Sequence, residues 1–335
     1  MKIAMRLSII LLAGSMALLS WRLLASRNNA PAGNPYVPSP VAAKLVAPPL
    51  VDPVNPLNFG AKCDGKTDDS KGFQAALDAG DVKVPAGTCV IDRTVKITIS
   101  NRHLECSPGT TLKQTNPYAP QMFEIVSSDG GTLRGNSIAN CVFVGSNEVA
   151  PRFFLDDARH YNTPVLTRDQ VSEFRLIGNT FRRFFGQSMF QTYGQVDGGS
   201  GDIIAYNRFE SCGYYGPVFV AHRNGYIGHN TLVDCAIGVE NDNAKQMSGG
   251  NIIEYNEVSA VHGYGAPDMG AAALLTGGTA GDADYSTNIV RYNTVMGASK
   301  KAREGVLPSI IWQKASGGAA LYLQNTCGNG CKVIQ

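Results

Sequence analysis

The feature that most constrains the fold is a loose repeat centred on asparagine in the second half of the chain. Each of five copies has an apolar residue three positions before the asparagine and another two positions after it. The asparagines are Asn179, Asn207, Asn230, Asn256 and Asn293, and successive members are 28, 23, 26 and 37 residues apart. Such a period is typical of solenoids, in which each unit buries its apolar side chains only against its neighbours.

The composition of the repeat favours strands over helices. Each copy is rich in β-branched residues and is interrupted by glycine and asparagine, which both disfavour helices. The shortest copy suits one coil of three short strands, and the longer copies carry inserted loops. Because stacked strands lie ~4.8 Å apart, equivalent residues of successive coils form rows. The sequence therefore predicts an all-β solenoid, a parallel β-helix.

The rows of this repeat supply the predicted core and its corner. The apolar rows are Leu176, Ile204, Ile227, Ile253 and Val290, and Phe181, Phe209, Leu232, Val258 and Val295. Asparagine tolerates a left-handed turn conformation and hydrogen-bonds along a stack, so we expect a polar ladder at a corner. Cys212 and Cys235 occupy equivalent positions on consecutive coils, which predicts a disulfide. His229 stands where three other copies have tyrosine, and it is interpreted as a stacking substitute.

The first residues have the layout of a secretory signal. Basic residues precede an apolar stretch from Leu7 to Trp21, and Ala30-Pro31-Ala32 offers a cleavage site, so residues 1–32 are interpreted as a signal peptide. The alternative is an uncleaved membrane anchor over residues 7–25, with Arg22 reaching the interface. Both interpretations predict a periplasmic or secreted body, which contacts a membrane only if the segment is retained.

The remaining chain divides into a linker and one domain. Residues 33–56 are rich in proline and poor in core-forming side chains, which indicates a linker, and residues 57–335 form the predicted β-helix domain. Eight cysteines, an even number behind an export signal, indicate disulfides. The net charge of +2 is spread along the chain, so nucleic acid is not an expected partner. We expect a monomer.

A second pattern lies upstream of the repeats. It comprises Asn58-Phe59-Gly60-Ala61-Lys62-Cys63-Asp64-Gly65-Lys66-Thr67-Asp68-Asp69, then Phe73-Gln74-Ala75-Ala76-Leu77, then Val84-Pro85-Ala86-Gly87-Thr88-Cys89. This closely resembles the N-terminal signature of the pectate lyase superfamily, in the group that includes rhamnogalacturonase-like and epimerase-like domains. The resemblance implies a right-handed parallel β-helix with a short N-terminal capping helix, and a carbohydrate as the ligand.

The same segment is also interpretable from its residues. Asp68 or Asp69 caps a helix whose apolar face, which includes Phe73 and Leu77, covers the open end of the first coil. The resemblance implies that these aspartates are structural.

The resemblance also bears on the cysteines. Relatives often have glycine and an aromatic residue where this chain has Cys63 and Cys89, which implies a disulfide between the cap and the first coil. Cys106 and Cys141 then remain to pair with each other. Near the end of the sequence, Cys327 and Cys331 frame a tight turn that a bridge would close.

Polar residues end the second strands of successive coils, and we expect them to meet at one edge. This candidate patch consists of Tyr193, His222, Arg223, Glu240, Asp242 and Lys314. In it, Arg223 would hold a substrate uronate, and His222, Tyr193 or Lys314 would abstract a proton. Glu240 or Asp242 would act as an acid or bind a cation. This chemistry favours a lyase or epimerase acting on an acidic polysaccharide; a solvated edge of ordinary polar residues is the alternative.

Other functions remain open. Hydrolysis needs two carboxylates ~5–9.5 Å apart, and distance does not exclude Glu240 and Asp242, which lie two residues apart on one strand face. However, polygalacturonase-like members carry an Asn-Thr-Asp stretch, paired aspartates and a Gly-His-Gly, and here the nearest match is Gly228-His229-Asn230. A catalytically silent binder of envelope polysaccharide is a second alternative. A phage-type spike is a third, which agrees poorly with an export segment.

One loop suggests a metal. Asp282 and Asp284 lie in a glycine-rich insertion and form a candidate Ca²⁺ site. No other cofactor is expected.

Overall fold

The chain forms a solenoid of parallel strands. The computed structural model describes residues 44–116, 121–146, 163–168, 171–184, 188–192, 199–242, 249–261, 272–277, 285–298, 309–314, 320–328 and 332–333. The predicted signal or anchor lies outside these ranges. Within them, no helix is both long enough and apolar enough to cross a membrane.

One face of the solenoid is a nine-stranded sheet to which each coil contributes one strand. Its strands, in order along the axis, are Val82–Val84, His103–Cys106, Ser137–Ala139, Arg175–Ile177, Ile203–Ala205, Tyr226–Gly228, Ile252–Glu254, Ile289–Arg291 and Leu321–Leu323. Every pairing between neighbours is parallel.

A seventeen-stranded sheet wraps the other two faces. Its strands are Asp64–Asp68, Gly87–Val90, Val95–Ile97, Thr110–Lys113, Phe123–Ile125, Val142–Val144, Val165–Thr167, Thr180–Arg182, Ser188–Thr192, Arg208–Val220, Thr231–Asp242, Glu257–Val261, Ala272–Gly277, Thr294–Ala298, Ser309–Lys314, Thr326–Gly328 and Lys332–Val333. A small sheet pairs Leu133–Arg134 with Val171–Ser172. The predicted parallel β-helix is confirmed.

The predicted apolar rows are confirmed by the strand register. Leu176 pairs with Ile204, which pairs with Ile227, and all three side chains are fully buried. On the next face Phe181 stacks on Phe209, with ring centroids 5.2 Å apart. These contacts form one continuous core along the axis.

The asparagine ladder turns the corner between these two faces. The Asn207 backbone N–H donates to the side-chain oxygen of Asn230 at 2.9 Å, and its side-chain NH₂ donates to the same oxygen at 3.1 Å. Asn230 makes the equivalent bonds to Asn256 at 3.1 and 3.0 Å. The ladder side chains thereby satisfy backbone groups at a corner where no strand pairing does so.

An aromatic stack lies outside this corner. His229 lies between Tyr206 and Tyr255, with both ring centroids 5.0 Å from its own, and Tyr255 stacks on Tyr292 at 5.2 Å. The predicted stacking role of His229 is confirmed.

The predicted capping helix spans Ser70–Ala79 and buries Phe73 and Leu77. Asp69 precedes it, but its carboxylate makes no capping bond to the helix. It accepts instead from the backbone N–H groups of Lys62 at 2.6 Å and Val90 at 3.1 Å. Asp69 is therefore structural, because it ties the segment before the helix to the first coil.

Three of the expected disulfides lie entirely within the described residues. Cys63 is bonded to Cys89, Cys106 to Cys141 and Cys212 to Cys235. Each bridge joins neighbouring turns of the chain. Cys327 is also disulfide-bonded, while Cys331 lies outside the described residues.

The end of the predicted linker contacts the first coil. Val54 forms a parallel bridge with Val82, and the Val51 N–H donates to the Asp81 carboxylate at 2.9 Å. Ordered contacts with the solenoid therefore begin before residue 57, because Asp81 and the edge strand offer partners to this backbone.

Candidate functional site

On the third face, a row of side chains that are each at most 9% exposed points away from the core and runs parallel to the solenoid axis. Gln191, Val218 and Glu240 occupy paired positions on three consecutive coils. Val218 and Glu240 alternate with Phe219 and Asn241, which are completely buried inside the coil, so the row faces outward. Glu240 is the ionisable member of this row.

Glu240 has the environment of a carboxylic acid that keeps its proton. Its side chain is 6% exposed, and this burial raises its pKa well above the usual range; the nearby charge of Asp242 raises it further. The Tyr215 hydroxyl donates a hydrogen bond to the Glu240 carboxylate and partly opposes these effects. A proton-retaining carboxyl beside a second carboxyl is the usual pairing of a general acid with a base or nucleophile.

Asp242 ends the same strand and lies two residues from Glu240, so both point to one side of the sheet. It is half-buried and pairs with Val220 of the preceding coil. The structure therefore brings together two members of the predicted patch, at a spacing of roughly 6.5–7 Å along the strand.

His222 does not belong to this surface, contrary to the expected patch. Its side chain is completely buried, stacks on Phe219 with centroids 4.4 Å apart, and accepts a hydrogen bond from the Asp202 N–H at 3.2 Å. The physical reason is the turn at Ala221, where φ is 49°. That turn ends the alternation of inward-facing and outward-facing side chains along the strand, and it directs the side chain of His222 into the core.

Asp202 belongs to a second polar corner that sequence reasoning missed. The carboxylate accepts from the Phe174 N–H at 2.9 Å, and Asn251 accepts from the Gly225 N–H at 2.7 Å in the same way. Burial raises the pKa of Asp202 well above its usual value. The signal was a polar residue five positions before the ladder asparagine, at residues 202, 251 and 288.

Of the remaining predicted site residues, the structure describes Arg223 and the backbone of Lys314. Arg223 is exposed at the corner after Ala221, where its backbone bridges to Ser200 and Gly249. Lys314 ends a strand and pairs with Gly277, and its side chain is not among those described. Tyr193 and the candidate calcium ligands Asp282 and Asp284 lie outside the described residues.

The row continues toward the N-terminal end as a charged track. Gln191 pairs with Leu166, which pairs with Glu124. Glu124 forms ion pairs with Arg168 at 2.7 Å and Lys96 at 3.8 Å. Charged side chains therefore lie at the N-terminal end of the same row as Glu240.

Among the described residues, one group of potential metal ligands lies close together, and it consists of Cys63, Asp69 and Cys89. Both cysteines are in a disulfide and the Asp69 carboxylate is occupied by backbone N–H groups. This cluster is therefore structural.

Comparison with known proteins supports the fold. No protein-family profile and no curated protein matches the sequence. A variant of the tailspike protein of E. coli bacteriophage HK620, solved with a pentasaccharide, superposes with a TM-score of 0.54 and 13% identity over 82% of this chain and 57% of that chain. A second variant of that tailspike gives 0.56 and 13% over 82% and 56%. This protein has a right-handed parallel β-helix fold.

A family 28 exopolygalacturonase from Yersinia enterocolitica is a more distant match, with a TM-score of 0.40 and 12% identity over 84% of this chain and 79% of that chain. The right-handed β-helix chain spans little more than half the length of the tailspike chains it matches. At these identities the likeness extends to the fold, and the chemistry has to be argued from the site.

Proposed function

We propose that this protein hydrolyses glycosidic bonds of a polysaccharide, with Glu240 as the general acid and Asp242 as the second carboxylate. The observation that carries the proposal is the raised pKa of Glu240 beside Asp242 on the outward face of the solenoid. The tailspike relative was solved with a pentasaccharide, which supports an oligosaccharide as the kind of ligand.

The chemistry follows from the two environments. Protonated Glu240 donates its proton to the glycosidic oxygen while the bond from that oxygen to the anomeric carbon breaks. The Asp242 carboxylate either removes a proton from a water that attacks the anomeric carbon, or attacks that carbon itself. In the second route a glycosyl ester forms, and water then hydrolyses it while ionised Glu240 takes up the proton of that water. Residues two apart on one strand face have backbones roughly 6.5–7 Å apart, which allows their carboxyl groups to lie within the ~5–9.5 Å range that covers both routes.

The lyase or epimerase reaction expected from the sequence has less support. Of the three bases suggested for it, His222 is enclosed in the core and burial lowers its pKa to about 3. The side chains of the other two, Tyr193 and Lys314, lie outside the described set. Two carboxyl groups on one strand are the arrangement that the described residues offer, and they suit hydrolysis.

An acidic polysaccharide remains the proposed substrate. Exposed Arg223 lies on the coil next to that of Glu240 and would pair with a substrate carboxylate. The disulfides suit an oxidising, extracytoplasmic compartment.

The test is an assay of Glu240→Gln and Asp242→Asn against a panel of uronate-containing polysaccharides. We expect the wild type to release reducing ends without forming unsaturated sugars, and each variant to lose about 10²- to 10⁴-fold in rate. Glu257→Gln, which changes an exposed glutamate on the next coil, is the matched control and should keep its activity. Unsaturated products, or full activity in Glu240→Gln, would overturn the proposal.

A further inference from the structure

A cavity of about 380 Å³ opens at the N-terminal end of the solenoid, where the capping helix meets the first two coils. Its walls include Val51, Ala79, Gly80, Asn101, Arg102 and His103. We propose that this cavity is a second ligand site that binds a sugar carrying a carboxylate, with Arg102 holding the carboxylate.

Arg102 is a cation without a partner in this cavity. Its Nε is buried and has no hydrogen-bond acceptor, and no ion pair joins its guanidinium to a described residue. Its Nη1 lies 3.9 Å from the position that a Cβ on Gly80 would occupy, so the guanidinium extends over the end of the helix. A buried donor left unpaired is costly, and the forked guanidinium matches a carboxylate in geometry and charge.

Asp81 also lines the cavity but forms no ion pair with Arg102. Asp81, which is 4% exposed, accepts from the backbone N–H of His103 at 3.0 Å and from that of Val51 at 2.9 Å. Both its oxygens are therefore engaged by backbone groups. Asp52 lines the same cavity and is exposed, so its charge opposes a bound anion and its oxygens accept from hydroxyl groups.

The other walls suit a hydroxylated ring better than a lone ion. His103 contacts the Ser137 hydroxyl through Nδ1 at 2.9 Å, which leaves Nε2 for a ligand. Burial lowers the pKa of His103, so the ring is neutral at pH 7. Val51 and Ala79 offer apolar surface, and the volume falls within the ~300–1,000 Å³ of small-molecule sites.

This cavity is separate from the proposed active site. Arg102 precedes the strand of the second coil, whereas Glu240 belongs to the sixth, roughly 19 Å farther along the axis at the spacing of stacked strands. The inference does not rest on the proposed hydrolysis, because binding is measured without turnover.

The test is calorimetric titration of the full-length protein with D-galacturonate, D-galactose and inorganic phosphate. We expect galacturonate to bind and the other two to bind at least about tenfold more weakly, since one charge-assisted pair is worth about that factor or more. Arg102→Ala should weaken galacturonate binding about ten- to hundredfold. Asp52→Asn should strengthen it, because a like charge is removed.

Two further variants separate local from global effects. Ala79→Leu fills the cavity from the end of the helix and should weaken binding while the thermal unfolding midpoint stays unchanged. Arg182→Ala removes an exposed arginine elsewhere on the solenoid and should bind as the wild type does. The inference is overturned if galacturonate fails to bind, if galactose or phosphate binds equally well, or if Arg182→Ala loses as much affinity as Arg102→Ala. Glu240→Gln should retain full binding, which distinguishes this site from the hydrolytic one.

Discussion

The backbone N–H of Asp202 donates to Nε2 of His222 at 3.2 Å inside the solenoid. Because Nε2 accepts this bond, the neutral ring carries its proton on Nδ1. Complete burial lowers the pKa of His222 to about 3, so the ring is an uncharged part of the core across the physiological range.

His222→Gln should flatten the acid dependence of stability. Folded His222 stays neutral down to pH about 3, whereas the unfolded residue takes up a proton below its ordinary pKa of 6.5. The unfolded state thus binds more protons between these two pH values. The stabilisation that is present above pH 6.5 is therefore lost as the pH decreases, by up to about 1.4 kcal/mol per pH unit. Urea unfolding at several pH values should show this loss in the wild type and a smaller one in the variant.

Asp202, whose raised pKa acts with the opposite sign, is retained in both proteins and has its carboxylate 3.9 Å from Nδ1 of His222, so the difference between them reports this buried pair. An equal slope in both would contradict the interior placement. Hydrolysis should survive in His222→Gln, whereas a catalytic base at this position would make the variant inactive.

Tyr215→Phe should move the alkaline limb of the activity profile to higher pH. The Tyr215 hydroxyl stabilises ionised Glu240, so its removal raises the pKa of the general acid. Activity requires protonated Glu240 and is lost as pH rises through that pKa. The dependence of kcat/KM on pH measures the shift, and Tyr206→Phe, a change on the exposed aromatic stack, should leave it in place.

Asp242→Asn should shift Glu240 in the opposite direction. Removal of the like charge favours the ionised form and lowers the pKa of Glu240. Carboxyl carbon NMR of the labelled, inactive variant would follow this titration directly. Shifts of the same sign in Tyr215→Phe and Asp242→Asn would contradict the electrostatic description of the site.

Asn230→Ala should lower the free energy of unfolding by about 2–4 kcal/mol, because it breaks a buried hydrogen-bond network. The side-chain NH₂ of Asn230 donates to the carbonyls of Ile204 at 2.8 Å and Gly228 at 3.0 Å. Asn325 extends the ladder by one residue, because its side-chain oxygen accepts from the Asn293 backbone N–H at 3.0 Å. It is half-buried, so Asn325→Ala should cost less. Denaturant titration of both variants measures which of them loses more free energy of unfolding. Equal losses of stability would argue against cooperative stacking at the corner.

The double variant Cys212→Ala, Cys235→Ala should lose about 3 kcal/mol of stability, as expected for a bridge closing a loop of this size. The two residues are 23 apart in sequence and directly paired between strands. A thiol assay on the unfolded, unreduced wild type should find neither cysteine as a free thiol. Detection of either as a free thiol would show that this disulfide does not form.

The fold was predictable because its determinants repeat along the chain. Leu176, Ile204 and Ile227 could be aligned from the asparagines alone, and the strand register places them side by side. The Cys212–Cys235 pairing followed from the same alignment. Because successive coils of a solenoid stack on one another, residues at equivalent positions of the repeat become neighbours in space.

The site was less predictable because it lies where repetition ends. The strand Arg208–Val220 contains a register irregularity between Cys212 and Tyr215, and one extra residue reverses which side chains face outward. Together with the turn at Ala221, this put His222 in the core. The acid character of Glu240 depends on burial by groups distant in sequence, which spacing alone does not reveal.

The ladder asparagines stack evenly although the chain between them varies from 23 to 37 residues. The extra residues thus leave the hydrogen bonds of the ladder unchanged. It follows that the loops between the strands can be exchanged, in evolution or by grafting, while the strands keep their register. The substrate specificity of such a molecule can therefore diverge much faster than its fold.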